Sequence, residues 1–230
     1  MSLIRRFAAV ENPNSLSNRM RSKRFRRFEQ LVEPLPRPLR IIDFGGTPEF
    51  WEQRGWGRRD DVHITAVNIQ PRISFRPNFR PVFGDVADLS EFADNSFDIA
   101  FSNSVIEHLF TFERQVAMAK ELQRVAPVFW LQTPNYWFPI EPHFHLPGWQ
   151  WLPLRVRKAV IRRRRCGWRG PCPDAELADQ IVREVRLLTR RQLQRLFPTA
   201  AIVPERSCGL VKSWIVHSTF DTAVAQKMAA

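Results

Sequence analysis

Six polar residues in this 230-residue chain stand where a ligand could use them: Asp43, Asn68, Asp85, Ser102, Asn103 and Asn135. Each lies at or just beyond the end of a short apolar run, in LRIID, HITAVN, PVFGD, FDIAFSN or PVFWLQTPN. Apolar runs of that length, bounded by turn residues, read as buried strands. Polar groups therefore recur at the ends of five successive predicted strands. Carboxylates there can accept hydrogen bonds from hydroxyl or amino groups, and carboxamides can both accept and donate. Proton chemistry has two further candidates, His108 in I-E-H-L and His143 in E-P-H-F-H, where Glu141 and His145 are its neighbours. Imidazole changes charge near neutral pH, so either His108 or His143 can act as a base, with packing as the competing role for each. No metal site is expected, because E-P-H-F-H lacks a placeable third or fourth ligand and Cys166, Cys172 and Cys208 form no C-x-x-C pair.

For these residues to meet, the runs must lie side by side. Strand one ends in the glycine turn FGG, and residues 112–125 repeat Val116, Ala119, Leu122 and Val125 at helical period before strand five. Strand, helix and strand in succession imply a largely parallel sheet with right-handed crossovers, which binds ligands beyond the carboxyl ends of its strands. Ahead of it, residues 15–32 predict a helix with Leu16, Met20, Phe25, Phe28 and Leu31 on one side and arginines on the other, stopped by Pro34, Pro36 and Pro38. After strand five come an aromatic, proline-rich stretch, a basic helix and a helix over 174–188. Thr189 and Gln192 then form a capping box for a short helix ending at Phe197, and AAIVPE and LVKSWIVHS make a hairpin-like edge. The expected division is an N-terminal helical extension (1–38), a domain (39–220) with an aromatic and basic insertion at about 136–173, and a tail (221–230).

A hydrophobic fraction of 44% and a charged fraction of 25% are ordinary for a globular protein whose core needs no disulfides. The three cysteines are read as reduced thiols. MSLIRRFAAVENPNS lacks the pattern of a secretory leader, and no apolar run approaches the ~20 residues of a membrane span. A cytoplasmic location is expected, with peripheral attachment to the inner membrane face left open. The net charge of +12 is uneven: residues 155–169 hold Arg155, Arg157, Lys158, Arg162, Arg163, Arg164, Arg165 and Arg169 without one acid, and removing those eight leaves +4. A second cluster comprises Arg19, Arg21, Lys23, Arg24, Arg26 and Arg27. Such patches attract phosphates, nucleic acid or anionic headgroups, or are simply solvated.

The turn IIDFGGTPEFW lacks the G-x-G-x-x-G spacing that cradles a dinucleotide pyrophosphate, which disfavours a nicotinamide or flavin enzyme. Asp43-x-Gly45-Gly46 instead resembles motif I of the class I S-adenosylmethionine-dependent methyltransferases. Gly84-Asp85-Val86 is similar to that family's G-D-A segment, and Phe97 to Leu109, FDIAFSNSVIEHL, closely resembles the fourth-strand signature of its small-molecule, type 11-like branch. The resemblance covers residues 39–135 and, more loosely, the closing strands. It implies an α/β, Rossmann-like, doubly wound, mostly parallel seven-stranded sheet with an antiparallel last strand. It also implies S-adenosylmethionine as cofactor, held by Asp43, Gly45, Gly46, Thr47, Asn68, Asp85, Val86, Ser102 and Asn103, with His108 or His143 as base. Two departures stand out: Asn68 replaces the acid that serves the ribose hydroxyls, and the turn reads G-G-T-P. The implied reaction is methyl transfer, to an oxygen of a small or glycan-like acceptor. Residues 155–169 offer a seat for a phosphate-bearing substrate or an anionic membrane surface. An RNA or protein methyltransferase and a non-catalytic cofactor-binding module are the alternatives. No RNA-reading motif is present, which ranks nucleic acid behind the others.

Overall fold

The computed structural model describes residues 16–167 and 169–220. The readings of a missing leader at the N-terminus and of a tail over 221–230 lie outside the described residues. Along the chain run α1 (Leu16–Val32), β1 (Leu39–Phe44), α2 (Pro48–Glu52), β2 (Val62–Asn68), β3 (Phe79–Phe83), β4 (Ile99–Asn103), α3 (Phe112–Arg124), β5 (Val128–Pro134), α4 (Leu154–Arg163), α5 (Ala175–Arg183), α6 (Arg190–Leu196), β6 (Ala201–Ser207) and β7 (Leu210–His217). One seven-stranded sheet has the order β3-β2-β1-β4-β5-β7-β6. Strands β1 to β5 pair in parallel, and β7 runs antiparallel to both β5 and β6. This is the Rossmann-like doubly wound sheet with an antiparallel last strand. Its strand order reverses between β1 and β4, the place where such sheets open a crevice for ligands.

Strand alternation divides the core in two. Ile42, Phe44, Ala100, Phe129, Leu131 and Val216 face α3 and α6, whose Met118, Leu122, Leu193 and Leu196 are buried there. On the other face, Ile41, Ile64, Ile99, Phe101, Trp130 and Ile215 meet α1 and α2. That second layer is aromatic: Phe28 sits 5.0 Å from Phe101, 5.7 Å from Trp130 and 6.4 Å from Trp51, centroid to centroid, each edge-on. Edge-to-face rings at these distances attract through their quadrupoles in addition to the area they bury.

Local chemistry sets the element ends. Thr111 caps α3 by accepting from the Arg114 N–H, and the Thr189–Gln192 capping box starts α6. Cys208 and Gly209, at φ 49° and 79°, form the two-residue turn between β6 and β7, with the positive φ values that match the twist of a hairpin. The helix expected over 174–188 stops at Arg183. Beyond it Leu187 and Leu188 are buried and Leu188 pairs with Asn135 at the end of β5, so burial draws the chain out of the helix. The insertion builds a third small core from Phe144, Trp149, Ile161, Cys166 and Cys172, which also takes Ala178 and Val182 of α5. The helical layer therefore runs past residue 173.

The arginines of α1 do not all face away from its apolar side. Arg24 turns inward and donates to Asn103 (2.7 Å), Gln132 (2.8 Å) and Glu205 (2.6 and 3.1 Å). It binds α1 to the ends of β4 and β5 and to β6. Its side chain is 10% exposed and that of Glu205 is 13%. Removing one partner of a buried pair strands the other charge, at a cost of about 3–5 kcal/mol. Arg24→Met should lower stability by about 3 kcal/mol in denaturant unfolding, and adding Glu205→Gln should restore part of it. An unchanged midpoint for the single variant would show that the pair is not needed.

Candidate active site

Backbone bonds lace the carboxyl ends of β1, β2 and β3 together. Gly45 N–H donates to Val67 at 2.7 Å and Gly84 N–H to Asn68 at 3.2 Å. Gly45 adopts φ +74°, and a Cβ there would meet Val105 at 2.7 Å, so the turn passes directly against the segment that leaves β4. A Cβ on Gly46 would lie 1.8 Å from Asp43 Oδ2. Two bare glycines are thus required, one by the backbone angle and one by a carboxyl underneath. Thr47 is the N-cap of α2 and Pro48 its first residue, where a missing N–H costs nothing.

Asp43 is buried beneath this turn, and Trp51 Nε1–H donates to its Oδ2 at 2.6 Å. Burial pushes the carboxyl up to about 8, against the pull of the indole hydrogen bond. Its place is under the turn, shaping it. Asn68 stands beside the same turn: its amide nitrogen donates to Gly45 (3.1 Å), and its oxygen accepts from the Gln70 N–H (3.0 Å). Asp85 is bound twice by Arg114, at 2.7 and 2.8 Å. Partial burial opposes ionisation of Asp85, but Arg114 and the Ala87 N–H hold its carboxyl below the ordinary range. Val86 is buried among the core residues of the α3 face. Asn103 is taken up by Arg24, while Ser102, on the opposite face of β4, is fully buried and its hydroxyl meets no partner among the described residues. The turn, Asn68 and the G-D segment thus come together at the crevice, whereas Ser102 and Asn103 point to the two faces of the sheet.

On the far side of the crevice the chain leaves β4 through Ser104, at φ 59°. Two bonds to Gln132 hold that strained residue, backbone to backbone at 2.9 Å and Oγ to Oε1 at 2.8 Å. A single 3-10 turn (Ile106–His108) follows. It brings His108 against His143, 35 positions later, with ring centroids 4.8 Å apart and planes at 89°. Glu141, 1% exposed, places one carboxylate oxygen 2.6 Å from His143 Nδ1 and accepts the backbone N–H groups of His143 and Phe144 on the other, at 2.7 Å each. Burial disfavours the His143 cation, but the bond and charge of Glu141, with Glu107 behind it, outweigh this and raise the imidazole above its ordinary value. His108 goes the other way, pushed down to about 4 by burial and by His143. Of the two histidines, His143 is the one equipped to hold a proton. His145 belongs to the same loop but not to this cluster.

Two participants escaped sequence reasoning. Glu107 is fully buried and raised by burial, and its Oε2 accepts the Thr133 hydroxyl at 2.9 Å. The dipeptide Glu107-His108 beyond a strand end was the available signal. Arg24 carried none, since nothing in its spacing separates it from the arginines around it. Beside Glu141 opens a cavity of ≈ 500 Å³ lined by Tyr136, Phe144, Trp149, Gln150, Arg157 and Arg186, among others.

Residues 52–127 match the family model described as the methyltransferase domain. Over that segment, a third of its length, the chain is similar to the methyltransferase domain. S-adenosylmethionine is the cofactor of that family. The matched segment begins after the glycine turn and ends before β5. Two uncharacterized proteins of Mycobacterium tuberculosis are each 35% identical over 72 residues, 31% of this chain. The match spans about a quarter of their length, 24%. Among solved structures, the CurJ carbon methyltransferase is similar at a TM-score of 0.56 and 11% identity, over 94% of this chain and 57% of its own. The N-terminal domain of EvdMO1, crystallised with S-adenosylhomocysteine and D-fucose, is similar at 0.52 and 15%, over 89% and 84%. The N-methyltransferase NodS of Bradyrhizobium japonicum WM9 is similar at 0.50 and 11%, over 87% and 96%. At these identities the likeness is one of fold.

Asp43 titrates far above a free aspartate, so the folded domain keeps its proton where the unfolded chain has lost it. The stability this contributes is complete below the unfolded value near 3.8 and falls as pH rises toward about 8. Asp43→Asn cannot titrate. Wild-type stability should therefore decline relative to the variant across that window, by up to about 1.4 kcal/mol per pH unit. Denaturant unfolding of both proteins at several pH values measures this, and a pH-independent difference refutes it.

Proposed function

We propose that this domain methylates a hydroxyl of a small, anionic acceptor, with His143 as the base. The supporting observation is the Glu141–His143 pair, of which Glu141 lines the cavity. Glu141 holds Nδ1 at 2.6 Å, which leaves Nε2 as the position that can accept a proton. S-adenosylmethionine, when bound, supplies the methyl group on a sulfonium. The crevice fits it in one respect already described: Gly45 and Gly46 keep the turn free of side chains, and neither position tolerates a Cβ. Asn68 and Asp85 lie at the ends of β2 and β3 next to that turn, where a ribose and an adenine amino group would be met. Asn68 donates to Gly45 and, at 3.5 Å, to Gly46, so its Oδ1, which accepts from Gln70, is the atom left to accept from a ribose hydroxyl. Asp85 keeps lone pairs beyond those used by Arg114. The acceptor oxygen would attack the methyl carbon as its proton passes to His143 Nε2.

The cavity walls favour the acceptor class. Tyr136, Phe144 and Trp149 offer aromatic faces to a sugar-like ring, and Arg157 and Arg186 offer guanidinium groups to a carboxylate or phosphate. NodS and the CurJ enzyme are methyltransferases of nitrogen and carbon, so the oxygen rests on the base and not on the fold. One observation favours a further, compatible reading, in which the acceptor is met at an anionic membrane surface. Trp151, Leu152 and Val156 are exposed, and Val156 lies beside Arg155 and Arg163 of α4 and Arg164 at its end. No helix among the described residues is long and apolar enough to cross a membrane.

Titration calorimetry with S-adenosylmethionine and S-adenosylhomocysteine should give micromolar binding, lost in Gly46→Ala; no binding by the wild type would overturn the reading. Over a panel of uronic acids and sugar phosphates, S-adenosylhomocysteine release should fall about 100-fold in His143→Ala, while cofactor affinity stays unchanged. Sedimentation with phosphatidylglycerol vesicles, but not with phosphatidylcholine vesicles, should be abolished by Arg155→Glu with Arg163→Glu. Equal sedimentation with both would remove the membrane reading.

A further inference from the structure

Glu107, His108 and His143 bring a carboxylate oxygen and two imidazole nitrogens within 4.8 Å of one another. Glu107 uses Oε2 for Thr133, but its Oε1 is buried with no hydrogen-bond partner among the described residues. A carboxylate oxygen in that position is costly unless something positive meets it. His143 is turned by Glu141 so that Nδ1 carries the hydrogen and Nε2 presents a lone pair. A carboxylate behind an imidazole is the outer-shell arrangement that orients histidine ligands and raises their basicity. Glu141 is itself fixed by two backbone N–H groups, so the orientation is built into the loop.

We propose that Glu107, His108 and His143 form a binding site for one divalent transition-metal ion, zinc by preference. Two imidazoles and one carboxylate are a donor set used by catalytic zinc, with a position left open for an oxygen ligand. Bonds of about 2.0–2.2 Å would draw the donors to roughly 3.3 Å from each other. His108, a third exposed, can turn toward the fixed His143 to close that gap. The inference rests on the proposed hydroxyl acceptor only for what the ion does. Coordination of the acceptor oxygen would lower its pKa, and its proton would leave to water while His143 serves as a ligand. The sequence offered two of these ligands as separate histidines, and the fold supplies the third.

The test uses the full chain, stripped with a chelator and titrated with zinc by calorimetry, and with cobalt(II) by absorption. One ion per chain with a micromolar or tighter Kd is expected. Glu107→Gln and His143→Asn should each weaken it at least tenfold, and the cobalt spectrum should lack a thiolate charge-transfer band. His108→Ala keeps the test decisive where Glu107→Gln fails to fold. No binding by the wild type, undiminished binding in the variants, or a thiolate band pointing to Cys208 would each overturn the site. Calorimetry with S-adenosylmethionine is read separately, so the loss of this site and the loss of the methyltransferase reading are distinguishable.

Discussion

The carboxyl of Asp43 has to be buried without a positive partner, and much of the domain is arranged around that constraint. It sits on the strand at the centre of the switch point, and among the described residues the indole of Trp51 compensates it. To bring that indole over β1, α2 must begin five residues after Asp43, hence the turn in left-handed Gly45 followed by Pro48 at the helix start. To keep the indole there, Phe25, Phe28, Phe50 and Phe101 close around it at centroid distances of 5.0–6.4 Å. And because the carboxyl reaches up against Gly46, the turn above it can carry no side chain. One buried acid thereby produces the smooth floor on which a bound cofactor would rest.

The second requirement is that the polar ends of β4 and β5 find partners on the same face. Gln132 is buried and Asn103 half-buried on that face. Arg24 answers both carbonyl oxygens with one guanidinium, and Glu205 balances its charge. Lys212 and Arg21 crowd the same pair, and burial lowers the pKa of each. A cation used this way is no longer available to a ligand, so the N-terminal basic cluster contributes less to surface attraction than its sequence suggests. The excess at 155–169 is also partly spent inside the insertion, where Lys158 meets Asp179 and Arg169 meets Glu184.

How much of this could be read beforehand follows from the range of each interaction. The β1 turn, the polar strand ends and the capping boxes are local, and their residues announce them within a few positions. The hairpin between β6 and β7 is equally local. The partnership of Glu107 with Thr133, of Arg24 with Glu205, and of His108 with His143 joins residues 26 to 181 positions apart. No periodicity encodes such pairs. The same holds for the premature end of α5: residues 184–188 keep a helical pattern, and only the docking of Leu188 beside Asn135 overrides it. Asn68 is instructive for the opposite reason. Its position at the end of β2 was plain, yet its amide also ties down Gly45, a task a carboxylate could not perform because it cannot donate. The departure from the family's acid thus has a local cause in the shape of this turn.

The proposed acceptor chemistry rests on a division of labour between two buried carboxylates, Glu107 and Glu141. Glu141 has three donors around it and no need of further charge, so it acts as a fixed anion that orients His143. Glu107 has one neutral hydroxyl and is left under-compensated, so burial favours its protonated form. Two acids a few residues from two imidazoles could in principle trade protons freely. The geometry prevents this by committing Glu141 to Nδ1, which leaves Nε2 to face whatever enters between Glu107 and His108. In the reaction proposed above, that opening would take either a proton or a metal ion, and both would favour an ionised acceptor oxygen. The choice between them turns on the unmatched oxygen of Glu107: a proton on His143 gives it a nearby positive charge, whereas a cation shared with His108 would be met by all three side chains at once.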